Sequence, residues 1–261
     1  MKDSIVLSRE HHLAILTFNR PSKNNAFNYE MCERLEELCQ EINADDSIRI
    51  VLMRGNGEAF TTGTDINELN QDLESISNEA LFIIRQFNSC ILLLREMEKV
   101  VIVSVHGMVA GIGMSLMLAA DMVIARDDTR FSLGYNQMAI SAIGASSYML
   151  PRIIGAKKAM ELFLMPDVFD AAQAYDFGLV NWIVSKEEME TQTKYIIERI
   201  VNGPMVAFMQ TKLLLNSAWQ NKLSAQLELE AEAFVRCVNT NDFKTAVRAY
   251  VNKQIPEFEG R

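Results

Sequence analysis

Two glycine-marked loops constrain this chain most: Glu58-Ala-Phe-Thr-Thr-Gly-Thr-Asp65 and His106-Gly-Met-Val-Ala-Gly-Ile-Gly113. Each follows an apolar, strand-like run and opens a helix-like one, so a strand, loop and helix unit occurs twice and an α/β fold is implied. The first N–H groups of a helix have no partner within it, and the aligned peptide dipoles place partial positive charge there. Such an end holds an anion or a polarised carbonyl. Two of them facing each other would form an oxyanion hole. The donors would be backbone groups, so the residues that matter are glycines that let the chain turn and a ligand come close.

With 261 residues, 49% of them hydrophobic, the chain is long enough to bury a full core. Its formal charge of -9, from 25 basic and 34 acidic residues, argues against nucleic acid as a partner, because such binding rests on phosphate neutralisation. The four cysteines, Cys32, Cys39, Cys90 and Cys237, form no CxxC pair and no Cys/His cluster. They imply neither a metal site nor a disulfide framework. The apolar segment Ala110 to Ala125 is interrupted by Asp121 and falls short of the roughly 18 to 20 apolar residues of a membrane span. The amino terminus has no signal-peptide core, and the expected location is the cytoplasm.

Ile5-Val-Leu and Leu13-Ala-Ile-Leu-Thr-Phe read as a hairpin turning at His11-His12. The polar loop Asn19 to Ala26 precedes an amphipathic helix with Met31, Leu35, Leu38 and Ile42 on one face. Ile48 to Arg54 reads as a buried strand, and Asp65-Ile-Asn-Glu68 has the form of a capping box starting a helix at Asp65. A long apolar helix over Ala80 to Glu98 leads to the β-branched strand Val100 to Val105, the second loop, and a helix through Ala120. Met122-Val-Ile-Ala and Phe131-Ser-Leu read as short strands, and beyond Val184 the pattern is almost wholly helical. Residues 1–186 thus form an α/β body and residues 187–261 a helical region. The apolar runs Leu213-Leu-Leu and Phe234-Val235 call for burial, against the body or against a neighbouring subunit.

At its two loops the chain resembles the crotonase superfamily, which includes enoyl-CoA hydratases and isomerases. The resemblance rests on Arg20-Pro-Ser-Lys-Asn-Asn-Ala-Phe-Asn28, Phe60-Thr-Thr-Gly-Thr-Asp-Ile66, and Gly107-Met-Val-Ala-Gly-Ile-Gly113 with Leu116 and Asp121, in that order. Gly155 to Leu162, Ala171 to Val180 and Pro204 to Lys212 continue it. It implies a spiral of ββα repeats with a carboxy-terminal helical region that builds trimers, often paired into hexamers. It implies a coenzyme A thioester as substrate, with no separate cofactor and no metal. The thioester oxygen would sit between the N–H groups of Thr64 and Ile112. Each well-placed donor in such a site contributes roughly 3 to 4 kcal/mol to enolate stabilisation. Adenine and pantetheine would lie against the backbone of Lys23, Asn24 and Ala26 and of Thr62, Gly63, Asp65 and Ile66, with Gly111 beside the thioester. Arg20, Lys23, Lys212 and Lys253 are candidates for the phosphates. Where hydratases usually have glycine, Ile112 would keep the N–H and narrow the space beside the thioester.

The acid/base positions depart from the family pattern. Hydratases use two glutamates; the matching residues here are Ser115 and Tyr135, and the position where isomerases often carry a carboxylate is Ile143. Among the polar residues nearby, Tyr135, Asn136, Gln137, Ser141, Glu68 and Asp72, the phenol of Tyr135 is the first choice for proton donation or for orienting a hydrogen bond. Pocket wall is its alternative. Glu68 and Asp72 read as solvent-exposed, Asp65 as an N-cap, and His106 as bonded to backbone. Gly111-Ile-Gly113 lacks the third glycine of a dinucleotide fingerprint, since residue 116 is Leu116. No GxSxG pentapeptide of a serine hydrolase occurs. Met108, Met114, Met117, Met138 and Met149 serve either as core filler or as lining of an adaptable acyl pocket. The expected function is a crotonase-type acyl-CoA enzyme of fatty acid metabolism, favouring double-bond isomerisation over hydration. A non-catalytic acyl-CoA-binding protein and an acyl-CoA decarboxylase are the alternatives.

Overall fold

The computed structural model describes residues 4–69 and 76–260. Its elements in chain order are β1 (Ile5–Glu10), β2 (Leu13–Phe18), α1 (Tyr29–Ala44), β3 (Ile50–Gly55), α2 (Ile66–Leu69), α3 (Ile76–Glu96), β4 (Val100–Val105), β5 (Met108–Ala110), α4 (Ile112–Ala119), β6 (Met122–Arg126) and β7 (Arg130–Ser132). There follow α5 (Ser146–Ile154), α6 (Ala156–Leu164), β8 (Phe169–Asp170), α7 (Ala171–Asp176), β9 (Trp182–Val184), α8 (Met189–Val201), α9 (Met205–Ala218), α10 (Leu223–Val238) and α11 (Asn241–Val251). Two compact units result: Met1–Met97 with Val101–Glu190, and Glu98–Val100 with Thr191–Arg261.

The first unit carries the α/β architecture. A six-stranded sheet runs β1-β2-β3-β4-β6-β9, and a three-stranded sheet runs β5-β7-β8. Only the β1-β2 hairpin and the β7-β8 pair are antiparallel among the registers observed; β2-β3, β4-β6, β6-β9 and β5-β7 are parallel. Strands β2 and β4 are buried at every residue, as expected where a sheet is covered on both faces. The expected apolar face of α1 is buried at Met31, Leu35, Leu38 and Ile42, and packs on α3. Asn28 starts that helix by accepting a hydrogen bond from Met31 N at 3.1 Å, which satisfies one of the orphan donors of its first turn.

Strands β5 and β8 were not among the expected elements. Each has three residues or fewer, too short for an alternating pattern to stand out. Helix α2 begins at Ile66, one residue later than expected, and covers only four described residues. Within the second unit, α10 packs against α9 and α11. Its helices leave large apolar side chains exposed, including Leu215, Trp219, Leu223, Phe234 and Tyr250, the last at 88%. Among the described residues no helix is long and apolar enough to cross a membrane.

Candidate active site

The two glycine loops lie side by side because their backbones are hydrogen-bonded. Phe60 N donates to His106 O at 2.9 Å, Thr61 N to Met108 O at 3.2 Å, and Ala110 N to Thr61 O at 3.0 Å. Gly107 makes this approach possible: a Cβ there would fall 1.9 Å from Glu58 O, and its φ of +57° suits glycine. Further along, a Cβ on Gly63 would meet Ala110 O at 3.3 Å and one on Gly111 would meet Gly63 Cα at 3.7 Å. The backbones of Gly63 and Gly111 are therefore neighbours, and Thr64 and Ile112 follow them directly.

The two loops free their N–H groups by different means. Thr64 forms a parallel bridge with Phe27, in which Phe27 N donates to Gly63 O at 2.7 Å and Asp65 N donates to Phe27 O at 2.8 Å. In a parallel ladder the residue between two such bonds points its own N–H and C=O to the opposite edge. Thr64 N–H consequently faces away from Phe27. The expectation that a helix end presents an N–H at this loop is corrected: residue 64 lies in a bridge and α2 begins two residues later. The second loop does use a helix. Gly111 caps α4 with φ +51°, and its carbonyl receives Met114 N at 3.0 Å and Ser115 N at 3.3 Å. Ile112 N–H and Gly113 N–H precede those donors in the first turn, where no intrahelical acceptor exists. Ile112 N–H donates to no other described residue. The Ile112 side chain is packed in the core.

The segment from Lys23 to Phe27 runs beside the segment from Thr61 to Asp65. Thr62 N donates to Asn24 O at 3.1 Å, and Thr61 Oγ1 to Asn25 O at 2.8 Å. Lys23, Asn24, Thr62 and Ile66 are exposed, while Ala26, Gly63 and Asp65 are buried. Asn25, overlooked in the sequence, organises this region. Fully buried, it accepts from Arg20 N at 2.9 Å and donates through Nδ2 to Asn56 O and Ala59 O, both at 2.8 Å. Its φ of +53° lies in the left-handed region that asparagine tolerates.

Several of the expected residues have partners within the protein. Arg20 places its guanidinium against Ala26 O, Asp65 Oδ2 at 3.0 Å and Glu68 Oε1 at 3.4 Å. Asp65 is 4% exposed, stands directly before α2, and pairs its carboxylate with Arg20. Glu68 is exposed, as expected, and also accepts from Asn28 Nδ2 at 2.9 Å. Lys212 donates to Lys99 O at 2.9 Å. Asp72 lies outside the described residues. His106 bonds Gly57 O through Nε2 at 2.9 Å, as expected, and burial holds its pKa below the ordinary imidazole value. Met114 and Met117 are core; Met138 is exposed. No group of three or more His, Cys, Asp and Glu residues suited to a metal ion occurs among the described residues.

The three acid/base positions converge although they are far apart in sequence. Ser115 Oγ and Tyr135 Oη are 2.9 Å apart. Ser115 Oγ also approaches Ile143 O at 2.9 Å, which Ser146 Oγ meets at 2.8 Å. Tyr135 Oη donates to Gly111 O at 2.9 Å. Ser115 is 0% and Tyr135 5% exposed. Gly144 closes the remaining space: a Cβ there would lie 2.3 Å from the Phe87 ring and 2.9 Å from Ser115 Oγ. Burial raises the Tyr135 pKa above that of an ordinary phenol, so this group is neutral and no base at physiological pH. Asn136, Gln137 and Ser141 are exposed, with Asn136 Nδ2 donating to Leu164 O.

This architecture, with glycine loops that bring two backbone segments together, is that of the crotonase superfamily. The sequence matches the enoyl-CoA hydratase/isomerase family over residues 8–261, and the chain belongs to that family. It is 30% identical to the 1,2-epoxyphenylacetyl-CoA isomerase of Escherichia coli, with 100% of both chains aligned. It is also 30% identical to the trans-2-decenoyl-[acyl-carrier-protein] isomerase of Streptococcus mutans, over 98% of both. The crystal structure of an enoyl-CoA hydratase from Polaromonas superposes with a TM-score of 0.92 at 27% identity, covering 98% of this chain and 99% of that one.

Proposed function

We propose that this family member binds an acyl-CoA thioester with its carbonyl oxygen between Thr64 N–H and Ile112 N–H, stabilises the derived enolate, and favours double-bond isomerisation over hydration. Desolvated donors aimed at developing charge make a large contribution to catalysis. The observation that carries the preference is the contact of Ser115 with Tyr135. Hydration requires groups that hold a water, take a proton from it and deliver one to carbon. Here the two positions that are glutamates in hydratases are occupied by neutral hydroxyls bonded to each other and placed against the Gly111 and Ile143 carbonyls.

Isomerisation of a 3-enoyl thioester passes a proton from the carbon next to the carbonyl to solvent water, since the Ser115–Tyr135 pair supplies no base, moves the charge to the thioester oxygen as a dienolate, and takes a proton back from solvent at C4. The backbone donors serve the middle state. Lys23, Asn24, Ala26, Thr62, Gly63, Asp65 and Ile66 would line the coenzyme A path, Gly111 would lie beside the thioester, and coenzyme A enters as part of the substrate. The absence of a carboxylate at residues 115, 135 and 143 also favours a second reading, decarboxylation of a malonyl-type thioester, in which the departing carboxylate leaves the enolate directly and needs no base. NMR of the protein with a 3-enoyl-CoA in heavy water separates the readings. Bond migration or deuterium at the α-carbon supports isomerisation; an unchanged 3-enoyl-CoA together with loss of carbon dioxide from malonyl-CoA transfers the assignment to decarboxylation. A thioester that binds and is left unchanged in both assays marks a non-catalytic binder.

The apolar surface of α9 to α11 is the face we assign to self-association into a trimer or hexamer, because exposed side chains such as Leu215, Phe234 and Tyr250 exceed what a monomer usually leaves in water. Sedimentation velocity reads this directly, and a monomer at micromolar concentration would refute it.

A further inference from the structure

The peptide group that joins Gly111 to Ile112 has its carbonyl at one end and its N–H at the other. If Ile112 N–H points at a substrate oxygen, whatever donates to Gly111 O acts on that same amide. Three groups do: Met114 N, Ser115 N and Tyr135 Oη. The first two belong to the turn of α4 and would be present in any helix starting here. The phenol is the addition that this sequence makes.

We propose that Tyr135 is a positioning residue, which orients and polarises the Gly111–Ile112 peptide so that Ile112 N–H becomes a stronger donor to the thioester oxygen, and that Ser115 sets the direction of the phenol proton. The inference rests on the functional reading above. The Tyr135 and Ser115 hydroxyls share the contacts Tyr135 to Gly111 O, Tyr135 to Ser115, and Ser115 to Ile143 O, and the Ser146 hydroxyl also lies beside the phenol. Two arrangements of the Ser115–Tyr135 pair matter here. In one, Tyr135 donates to Ser115, which donates to Ile143 O. In the other, Ser115 donates to Tyr135, which donates to Gly111 O, while Ile143 O keeps Ser146 Oγ and Ser146 N.

Charge developing on the thioester oxygen draws on Ile112 N–H and pushes electron density onto Gly111 O, making that carbonyl a better acceptor. Hydrogen bonds joined through one amide strengthen each other in this way. The second arrangement is thus favoured as the enolate forms, and a contact that improves only then raises kcat more than it tightens substrate binding. No proton leaves either hydroxyl during this reorientation, in keeping with the neutral, buried phenol.

The test exploits a unique dipeptide. Gly-Ile occurs once in the sequence, at residues 111 and 112, so protein labelled with carbonyl-13C glycine and 15N isoleucine gives a single carbonyl-to-amide cross-peak from this peptide. Tyr135→Phe removes the donor and keeps the ring; Ser115→Ala removes one competing hydroxyl and leaves the phenol Gly111 O and Ser146. The expected result is a Gly111 carbonyl signal further downfield in Ser115→Ala than in Tyr135→Phe. With it should come a roughly tenfold lower kcat for 3-enoyl-CoA in Tyr135→Phe at nearly unchanged KM, the size of one hydrogen bond expressed in the transition state. Coincident signals in the two variants, or a separated pair with unaltered kcat, would overturn the proposal. A wild-type protein that neither binds nor changes any acyl thioester fails the functional reading and this inference with it, whereas coincident signals in an active enzyme fail this inference alone.

Discussion

The first glycine loop frees its donor through a β-bridge, and the second through the start of a helix; the difference separates what the two sites tolerate. At Thr64 the N–H points away from Phe27, which takes the flanking groups of residues 63 and 65, so this group depends on the loop from Arg20 to Asn28 and on the buried Asn25 that anchors it. At Ile112 the N–H has no intrahelical acceptor because no turn of helix precedes it, so this group depends on Gly111 and on whatever grips its carbonyl. One donor is held by neighbouring chain, the other by its own helix.

The largest expected effect comes from deleting either donor. Thr64→Pro and Ile112→Pro should each lower kcat by about 100- to 1000-fold in steady-state assays. They should differ in fold: proline is well accepted at the first position of a helix, so Ile112→Pro should keep its circular dichroism more fully than Thr64→Pro. A folded variant of either kind with wild-type turnover would break the pairing of the loops.

Next are the glycines that bring the loops together. Gly107→Ala should cost about 3 kcal/mol in urea unfolding, because its Cβ would lie 1.9 Å from Glu58 O on a backbone with φ +57°. Gly63→Ala, whose Cβ meets Ala110 O at 3.3 Å, should cost about 1 kcal/mol. Equal losses would mean that the approach of the loops is not set at Gly107.

Smaller still is the contrast within the first loop. Arg20→Ala strands the buried carboxylate of Asp65 and should cost about 2 kcal/mol of stability, whereas Lys23→Ala, at an exposed position, should change stability by less than about 0.5 kcal/mol. The order should invert in binding: Lys23→Ala should raise the KM for acyl-CoA over the matched dephospho-thioester more than Arg20→Ala does. The reverse would assign phosphate binding to Arg20.

Much of this was legible in the chain because it rests on local signals. The hairpin of β1 and β2, the buried face of α1, and the glycines of both loops follow from spacing and from backbone freedom, which neighbouring residues encode. What stayed hidden is tertiary. Strand β5 lies within the second glycine loop and is only three residues long. The Thr64 bridge to Phe27 joins segments that no periodicity links. The pairing of Arg20 with Asp65 was not visible because the two are 45 residues apart and Asp65 doubled as a plausible helix cap. Ser115 and Tyr135 were each identified as substitutions, but their contact across 20 residues exists only because α4 and the turn at Tyr135 face each other in the folded chain.

The most direct measurement is a crystal structure of the protein with an unreactive acyl-CoA analogue that keeps its carbonyl. The expected result places that oxygen at about 2.7 to 3.2 Å from both Thr64 N and Ile112 N. A bound analogue whose carbonyl oxygen lies beyond hydrogen-bond reach of either nitrogen would contradict the account.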